Sequence, residues 1–276
     1  MYLMEHVRNL ENRDNRARGQ QVLAALRVLG IEPVVQERRW PRIRNIIVDF
    51  SPNSGAKRLL FSAHYDAAKG SPGANDNASG VAVLLGLCQK MRHLQPPVRL
   101  VFFDREEASS RVPRLGLLGS FYYVWKNNLK NIAAVYNLEF CGLGDCLGIW
   151  PVRAGQAKLA AVKEVEKAAI RRDIPFQPVD IPWPLLTSDH LPFRVKGVNN
   201  SITLSLLPAG QVPMLKKQLA AISIPRLLIG RKPALPQPFS VIHTDKDTSS
   251  HLSEDSLRLM LSLLLELIKS SSPSGS

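Results

Sequence analysis

Imidazole and carboxylate side chains gather at the ends of apolar runs in this chain. His64 and Asp66 follow Arg58-Leu59-Leu60-Phe61-Ser62, and Asp76 stands within Gly73-Ala74-Asn75-Asp76-Asn77-Ala78-Ser79-Gly80. Asp104, Glu106 and Glu107 close the run from Val98 to Phe103, Glu139 closes Ile132 to Leu138, and His243 lies in Val241 to Thr248. Two histidines with several carboxylates in such positions suit a pair of divalent cations. Zinc takes imidazole nitrogen and carboxylate oxygen, and a catalytic site keeps one position open for water. A metal pair sharing one carboxylate lowers the pKa of water towards neutrality, and a carboxylate left out of the metal shell can act as general base. The neighbours Glu106 and Glu107 offer that division of labour, because only one of the two can comfortably face the metals.

Such residues need elements to hold them. The apolar runs 58–62, 98–103, 132–138 and 201–206 read as buried strands. Between them Val81-Ala82-Val83-Leu84-Leu85 opens a helix, Ala157 to Arg172 reads as another, and Asn15 to Leu29 as an amphipathic helix with a short one before Asn12. From Ser253 to Lys269 the residues Leu257, Met260, Leu261, Leu264, Leu265 and Ile268 repeat at three and four, which is one face of a helix. Ser253 is its expected cap, with Glu254 and Asp255 in the first turn where carboxylates favour the dipole. Strands separated by helices predict an α/β fold: a mostly parallel mixed β-sheet with helices on both faces, three layers in all. In such sheets ligands bind beyond the carboxyl ends of the strands.

With 276 residues and 45% hydrophobic content, the chain can bury one large core. We expect a single domain over residues 1–269 and a disordered polar tail over 270–276. The proline-bearing stretch from Ile222 to Phe239 reads as an inserted loop on the rim of a pocket. The net charge is +13, yet the basic residues are scattered and no nucleic-acid motif accompanies them. That argues against a specific nucleic-acid partner and for weak adhesion to polyanions. Cys88, Cys141 and Cys146 are odd in number and form no C-x-x-C pair, so no disulfide framework is expected. The first residues lack the pattern of a signal peptide, and no run approaches the ~18 apolar residues of a membrane span. The expectation is cytoplasmic residence without a membrane partner.

Six motifs then stand in order: His64-Tyr65-Asp66, Asn75 to Gly80, Phe103 to Glu107, Gly116-Leu117-Leu118-Gly119-Ser120, Ser188-Asp189-His190, and His243-Thr244 with Asp247-Thr248. Together they resemble the co-catalytic zinc aminopeptidases, metallopeptidase family 28, from about Asn45 to the last helix. The resemblance implies that His64 and Glu139 bind one zinc, Glu107 and His243 bind the other, and Asp76 bridges both. It makes Glu106 the general base and Asp66 the residue that orients His64, as metal-bound imidazoles usually require. It also implies a cis peptide at Asp76-Asn77 and places Asp189 and His190 in the wall of the substrate pocket. The activity implied is removal of N-terminal residues from peptides with a free N-terminus. Cobalt or manganese could fill the same ligands. Two positions depart from the family's pattern. Glu139 stands where relatives often carry Asp, so its longer side chain must shift the backbone or reach the metal differently. Arg105 stands where relatives often carry Gly, and is expected to point away from Glu106. Two alternatives share this fold: a glutaminyl cyclase holding one zinc, and a binding protein without activity. The sequences Asn77 to Gly80 and His243 to Thr248 favour the peptidase.

Overall fold

The apolar runs become strands because each turns alternate side chains towards two buried faces. The chain is represented by a computed structural model, which describes residues 2–51, 55–107, 116–152, 158–180, 188–221 and 235–271. Its strands are β1 (Val34–Arg38), β2 (Ile43–Asp49), β3 (Arg58–His64), β4 (Val98–Phe103), β5 (Ile132–Leu138), β6 (Cys146–Trp150), β7 (Phe176–Pro178) and β8 (Ser201–Leu207). They form one mixed sheet in the order β1-β2-β4-β3-β5-β8-β6-β7. The central block β4-β3-β5-β8 is parallel. Antiparallel pairings of β1 with β2, β2 with β4, and β6 with β8 flank it.

Helices cover both faces. Leu59, Phe61 and Ala63 of β3, with Leu100 and Phe102 of β4, pack into a core shared with α1 (Leu3–Leu10), α2 (Asn15–Val28), α3 (Ser79–Met91), α5 (Ala160–Arg171) and α8 (Glu254–Ser271). Leu60, Val101 and Phe103 face the opposite way, against Tyr123 and Val124 of α4 (Leu118–Lys126) and Phe193 of α6 (His190–Val195). Each such side chain removed from water contributes about 1.5–3 kcal/mol. Ser253 caps α8, its hydroxyl accepting the Asp255 N–H at 3.1 Å. The buried face of α8 also takes Leu263 and Leu267. It is broader than the three-and-four repeat alone because the helix packs on both α3 and α5. Among the described residues no helix is long and apolar enough to cross a membrane.

The register decides where the polar groups emerge. His64 lies beside Phe103, and Ser62 beside Asn137. The carboxyl ends of β3, β4 and β5 therefore finish together, and Asp66, Glu106, Glu107 and Glu139 leave from one edge.

Three expectations fall differently. Helix α8 continues through Ser270 and Ser271, whose hydroxyls bond to the carbonyl oxygens of Glu266 and Ile268 at 2.8 and 2.9 Å. A serine that returns its hydroxyl to the preceding turn can stay helical; residues 272–276 of the expected tail lie outside the described residues. Of the expected rim loop, residues 222–234 lie outside them too. Its described end packs inward, Leu235 and Phe239 meeting the cluster of Phe140, Trp150 and Leu207 with Leu215 and Leu219 of α7 (Val212–Ala220). Residues 241–247 form a succession of turns rather than the end of an apolar strand, with His243 in a left-handed conformation at φ 59°.

Candidate metal centre

His64 ends β3 with its ring fully inside the protein. Its Nδ1 faces the Asp66 carbonyl oxygen at 3.1 Å and Asp66 Oδ1 at 3.4 Å. Its Nε2 faces Asp76 Oδ1 at 3.2 Å and Glu139 Oε2 at 3.4 Å. The second oxygen of Asp76 lies 3.1 Å from His243 Nε2, which is also 3.1 Å from Glu107 Oε1. Two sets of three donors result, His64-Asp76-Glu139 and Asp76-Glu107-His243, sharing Asp76. A third set joins His64, Glu106 and Glu107.

Asp76 sits on the turn Ala74–Ala78, which precedes α3 and contains a cis bond between Asp76 and Asn77. Asp247 holds this turn: its carboxylate accepts the N–H of Asn75 at 2.7 Å and of Asp76 at 3.1 Å, and its carbonyl accepts the N–H of Ala74. Asn77 Nδ2 donates to the Leu138 carbonyl at 2.7 Å and ties the turn to the end of β5. Entry to the turn needs Gly73, at φ +67°, because a Cβ there would lie 2.6 Å from the Ala67 methyl.

Glu106 and Glu107 are placed by their backbone. Arg105 takes φ +55° and turns the chain after β4. The N–H groups of Glu106 and Glu107 then donate to the two carboxylate oxygens of Asp66 at 3.1 and 3.0 Å. Arg105 itself is exposed and lines the hollow that Glu107 and His243 also line. Glu139 solves the problem of its length by division. Its Oε1 accepts from Ser188 Oγ at 2.6 Å and Asn137 Nδ2 at 3.3 Å, which leaves Oε2 for the His64 side.

The electrostatics show a cluster short of positive charge. Burial pushes the Glu106 carboxyl well above the usual range and Glu107 up to about 7, with Asp76 adding to the latter. Burial alone would lower His64, but Glu139 and Glu106 overrule it and raise the imidazole. Hydrogen bonds to Asp76 and Glu107 push His243 up to about 10. Asp76 is held low by its two histidines, although burial works the other way. Glu107 Oε1 is buried, with His243 Nε2 at 3.1 Å beside it. Mixed imidazole and carboxylate donors, with more buried carboxylates than histidines to balance them, fit divalent cations, which supply the missing charge.

Asp189 and His190, adjacent in sequence, part company in space. Asp189 is fully buried, and burial pushes it up to about 7 although the Ser120 hydroxyl beside it works the other way. The charges of His64 and Glu139 both act on it, and it acts in turn on Glu106. His190 turns to β8, its Nδ1 2.8 Å from Thr203 Oγ1 and its ring edge-on to Trp150. It belongs to none of the three donor sets. Burial lowers its pKa to about 3, so the ring is neutral.

Motif reading missed the supports: Arg18, Asn137, Ser188 as a partner of Glu139, and Asp247 as the holder of Asp76. Arg18 is buried on α2 and donates only to backbone: to the carbonyl oxygens of Tyr65, of Leu10 at 3.1 Å, of Pro72 at 3.3 Å and of Gly73 at 3.1 Å. Its place on the stripe of Val22 and Leu26, where an apolar residue belongs, was the available signal. The three cysteines are buried and free, and Cys141 is in none of the donor sets.

The sequence pattern of Peptidase family M28 matches residues 45–268, most of the chain. The chain belongs to peptidase family M28. Over 149 residues it is 30% identical to the aminopeptidase YwaD of Bacillus subtilis, covering 52% of this chain and 31% of that protein. The vacuolar membrane protease of Vanderwaltozyma polyspora is 36% identical over 102 residues, covering 36% of this chain and 10% of that protein. This M28 chain thus spans about a third or less of the length of these curated relatives. In fold it is similar to the glutaminyl cyclase of Porphyromonas gingivalis, with TM-score 0.72 and 20% identity over 98% of this chain and 96% of that one. It is likewise similar to a zinc aminopeptidase from Bacillus subtilis, with TM-score 0.62 and 22% identity over 83% and 50%.

Proposed function

We propose that this M28 chain is a metal-dependent aminopeptidase working through two divalent cations, zinc in the first instance. The observation that carries the proposal is Asp76, whose two oxygens face different histidines, His64 at 3.2 Å and His243 at 3.1 Å. A carboxylate placed between two imidazoles, each with a further carboxylate beside it, suits a bridge between two ions. His64, Asp76 and Glu139 would hold one, and Asp76, Glu107 and His243 the other. When bound, such a pair polarises a carbonyl and lowers the pKa of water.

The remaining steps belong to the chain. Glu106 takes the proton from the attacking water and delivers it to the leaving amine; burial raises its pKa and suits it to carry a proton near neutral pH. Asp66 holds Glu106 and Glu107 by their N–H groups and steadies His64. Asp189, a buried carboxylate whose charge acts on Glu106, is suited to receive the substrate's ammonium group, which would restrict cleavage to the first residue.

A second reading has support from the fold, since the cyclase of Porphyromonas gingivalis covers nearly the whole chain. A glutaminyl-peptide cyclotransferase would hold one metal. Metal analysis, run beside hydrolysis of aminoacyl-anilides and cyclisation of a glutaminyl peptide, separates the two. Two ions per chain with chelator-sensitive hydrolysis uphold the peptidase; one ion with cyclisation replaces it. Glu106→Ala should keep its metal and lose about 10²–10⁴-fold in turnover; near-normal turnover would remove Glu106 as the base.

A further inference from the structure

Arg105 stands where three hollows meet. The largest, about 1140 Å3, opens from Glu107 and His243 and passes Arg13, Arg16 and Lys69. A second, about 240 Å3, is walled by Arg16, Arg42 and Arg105 among others. A third, about 590 Å3, lies between Arg39, Trp40, Arg42 and Arg105. Arg16 and Arg105 line both the first and the second, and Arg42 and Arg105 both the second and the third. The hollows are therefore one groove that begins at the metal donors and runs outward over the β1–β2 turn.

The outer half of this groove is cationic. The side chains of Arg16, Arg39, Arg42 and Arg105 are exposed and form no hydrogen bond or ion pair among the described residues. The acidic wall residues are mostly engaged. Asp14 caps α2, Asp66 holds Glu106 and Glu107, and Asp104 accepts the Arg44 N–H at 2.9 Å. Asp245, exposed at the inner end, is the exception. Trp40, 84% exposed, adds an apolar plane beside the arginines. Guanidinium groups pair with carboxylates through two parallel hydrogen bonds.

We infer that this groove receives the leaving portion of the peptide and selects for carboxylates there, from acidic side chains or from the peptide's own C-terminus. The direction rests on the aminopeptidase reading; the charge preference rests on the arginines. A peptide suits the groove better than a nucleic acid because its inner end is walled by Glu107 and His243 themselves, so an occupant continuous with the groove reaches the reacting centre. One exposed pair contributes little, so several arginines must act together, and salt must weaken them.

The test compares the peptides Leu-Ala-Glu-Glu and Leu-Ala-Gln-Gln, each as free acid and as amide, with a leucyl-anilide as a gauge of the peptidase reading. The expected result is about tenfold higher kcat/KM for the acidic peptides, falling to near parity in about 0.5 M salt. A preference that follows Glu over Gln assigns it to side chains, and one that follows acid over amide assigns it to the C-terminus; either upholds the groove. In the double variant Arg16→Gln, Arg42→Gln the acidic-to-neutral ratio should fall to about one, and a ratio taken within one protein cancels any loss of folded material. Equal rates in the parent protein, or an unchanged ratio in the variant, overturn the inference while anilide hydrolysis still supports the peptidase. If the anilide is not cleaved, the peptidase reading has failed separately. The groove is then read by fluorescence anisotropy of the labelled acidic and neutral peptides. Preferential binding of the acidic peptide, lost in the double variant, upholds it; equal binding, or equal displacement by an oligonucleotide of matched charge, overturns it.

Discussion

Ser188 donates a 2.6 Å hydrogen bond to Oε1 of Glu139, a residue 49 positions earlier in the chain. That bond fixes one oxygen of a side chain longer than the site's pattern expects and leaves the other facing His64. Ser188→Ala should lower affinity at the His64-Glu139 position about 10–100-fold and spare the Glu107-His243 position, as loss of a ligand's outer partner usually does. Metal content after dialysis against graded chelator reads this directly. Two ions lost in parallel, at the parent's chelator concentration, would show that Ser188 does not support Glu139.

Asp66 uses both oxygens on the N–H groups of Glu106 and Glu107. In Asp66→Asn one oxygen becomes an NH2 that meets a backbone donor, so one of the two glutamates must move. We expect anilide turnover to fall about 10–100-fold with the melting transition retained. Turnover at the parent's level would mean that the β4 turn holds its shape unaided.

Arg18 gathers carbonyl oxygens from Leu10, Tyr65, Pro72 and Gly73. Removing it leaves these acceptors unpaired in the interior, at about 1–3 kcal/mol for each that water cannot reach. Arg18→Met should therefore lower unfolding free energy by at least about 3 kcal/mol in urea. Arg18→Lys should recover only part of that, since an ammonium is a point and cannot span four acceptors. Full recovery in the lysine variant would contradict the account.

His190 is neutral in the folded protein, its pKa lowered by burial to about 3 from an ordinary 6.5. Between those values the unfolded chain binds the proton and the folded chain does not, so stability rises with pH. The contribution is complete above about 6.5 and is lost as pH falls towards about 3, by up to about 1.4 kcal/mol per unit. From pH 7 to 5 the parent protein should lose about 2 kcal/mol more than His190→Gln in urea unfolding. Equal losses would mean that the ring is reached by solvent.

The central strands were legible because buried parallel strands are continuous apolar runs, as in Leu59 to Ala63 and Val98 to Phe103. The edges were harder. β1 is largely exposed, and β7 has only three residues, so neither carries a strong period. Short α6 and α7 escaped for the same reason, having too few turns to show a repeat.

The sequence by itself determined which residue types stand at the carboxyl ends of the strands. Metal donors are restricted to a few side chains, and strand periodicity says where such side chains emerge. His64, Glu107 and Glu139 could therefore be picked out as candidate donors in advance, while Asp76 and His243, which lie on turns, took their roles from the resemblance to metallopeptidase family 28. Only the tertiary structure decided their partners. Arg18 and Asp247 act through main-chain carbonyl and N–H groups, which every residue carries, so no motif marks the partner. Ser188 reaches Glu139 only because β5 and β8 lie side by side in the sheet and bring distant segments together. The groove depended on assembly in the same way: Arg16, Arg42 and Arg105 look scattered along the chain, and become one surface when α2, β2 and the end of β4 meet.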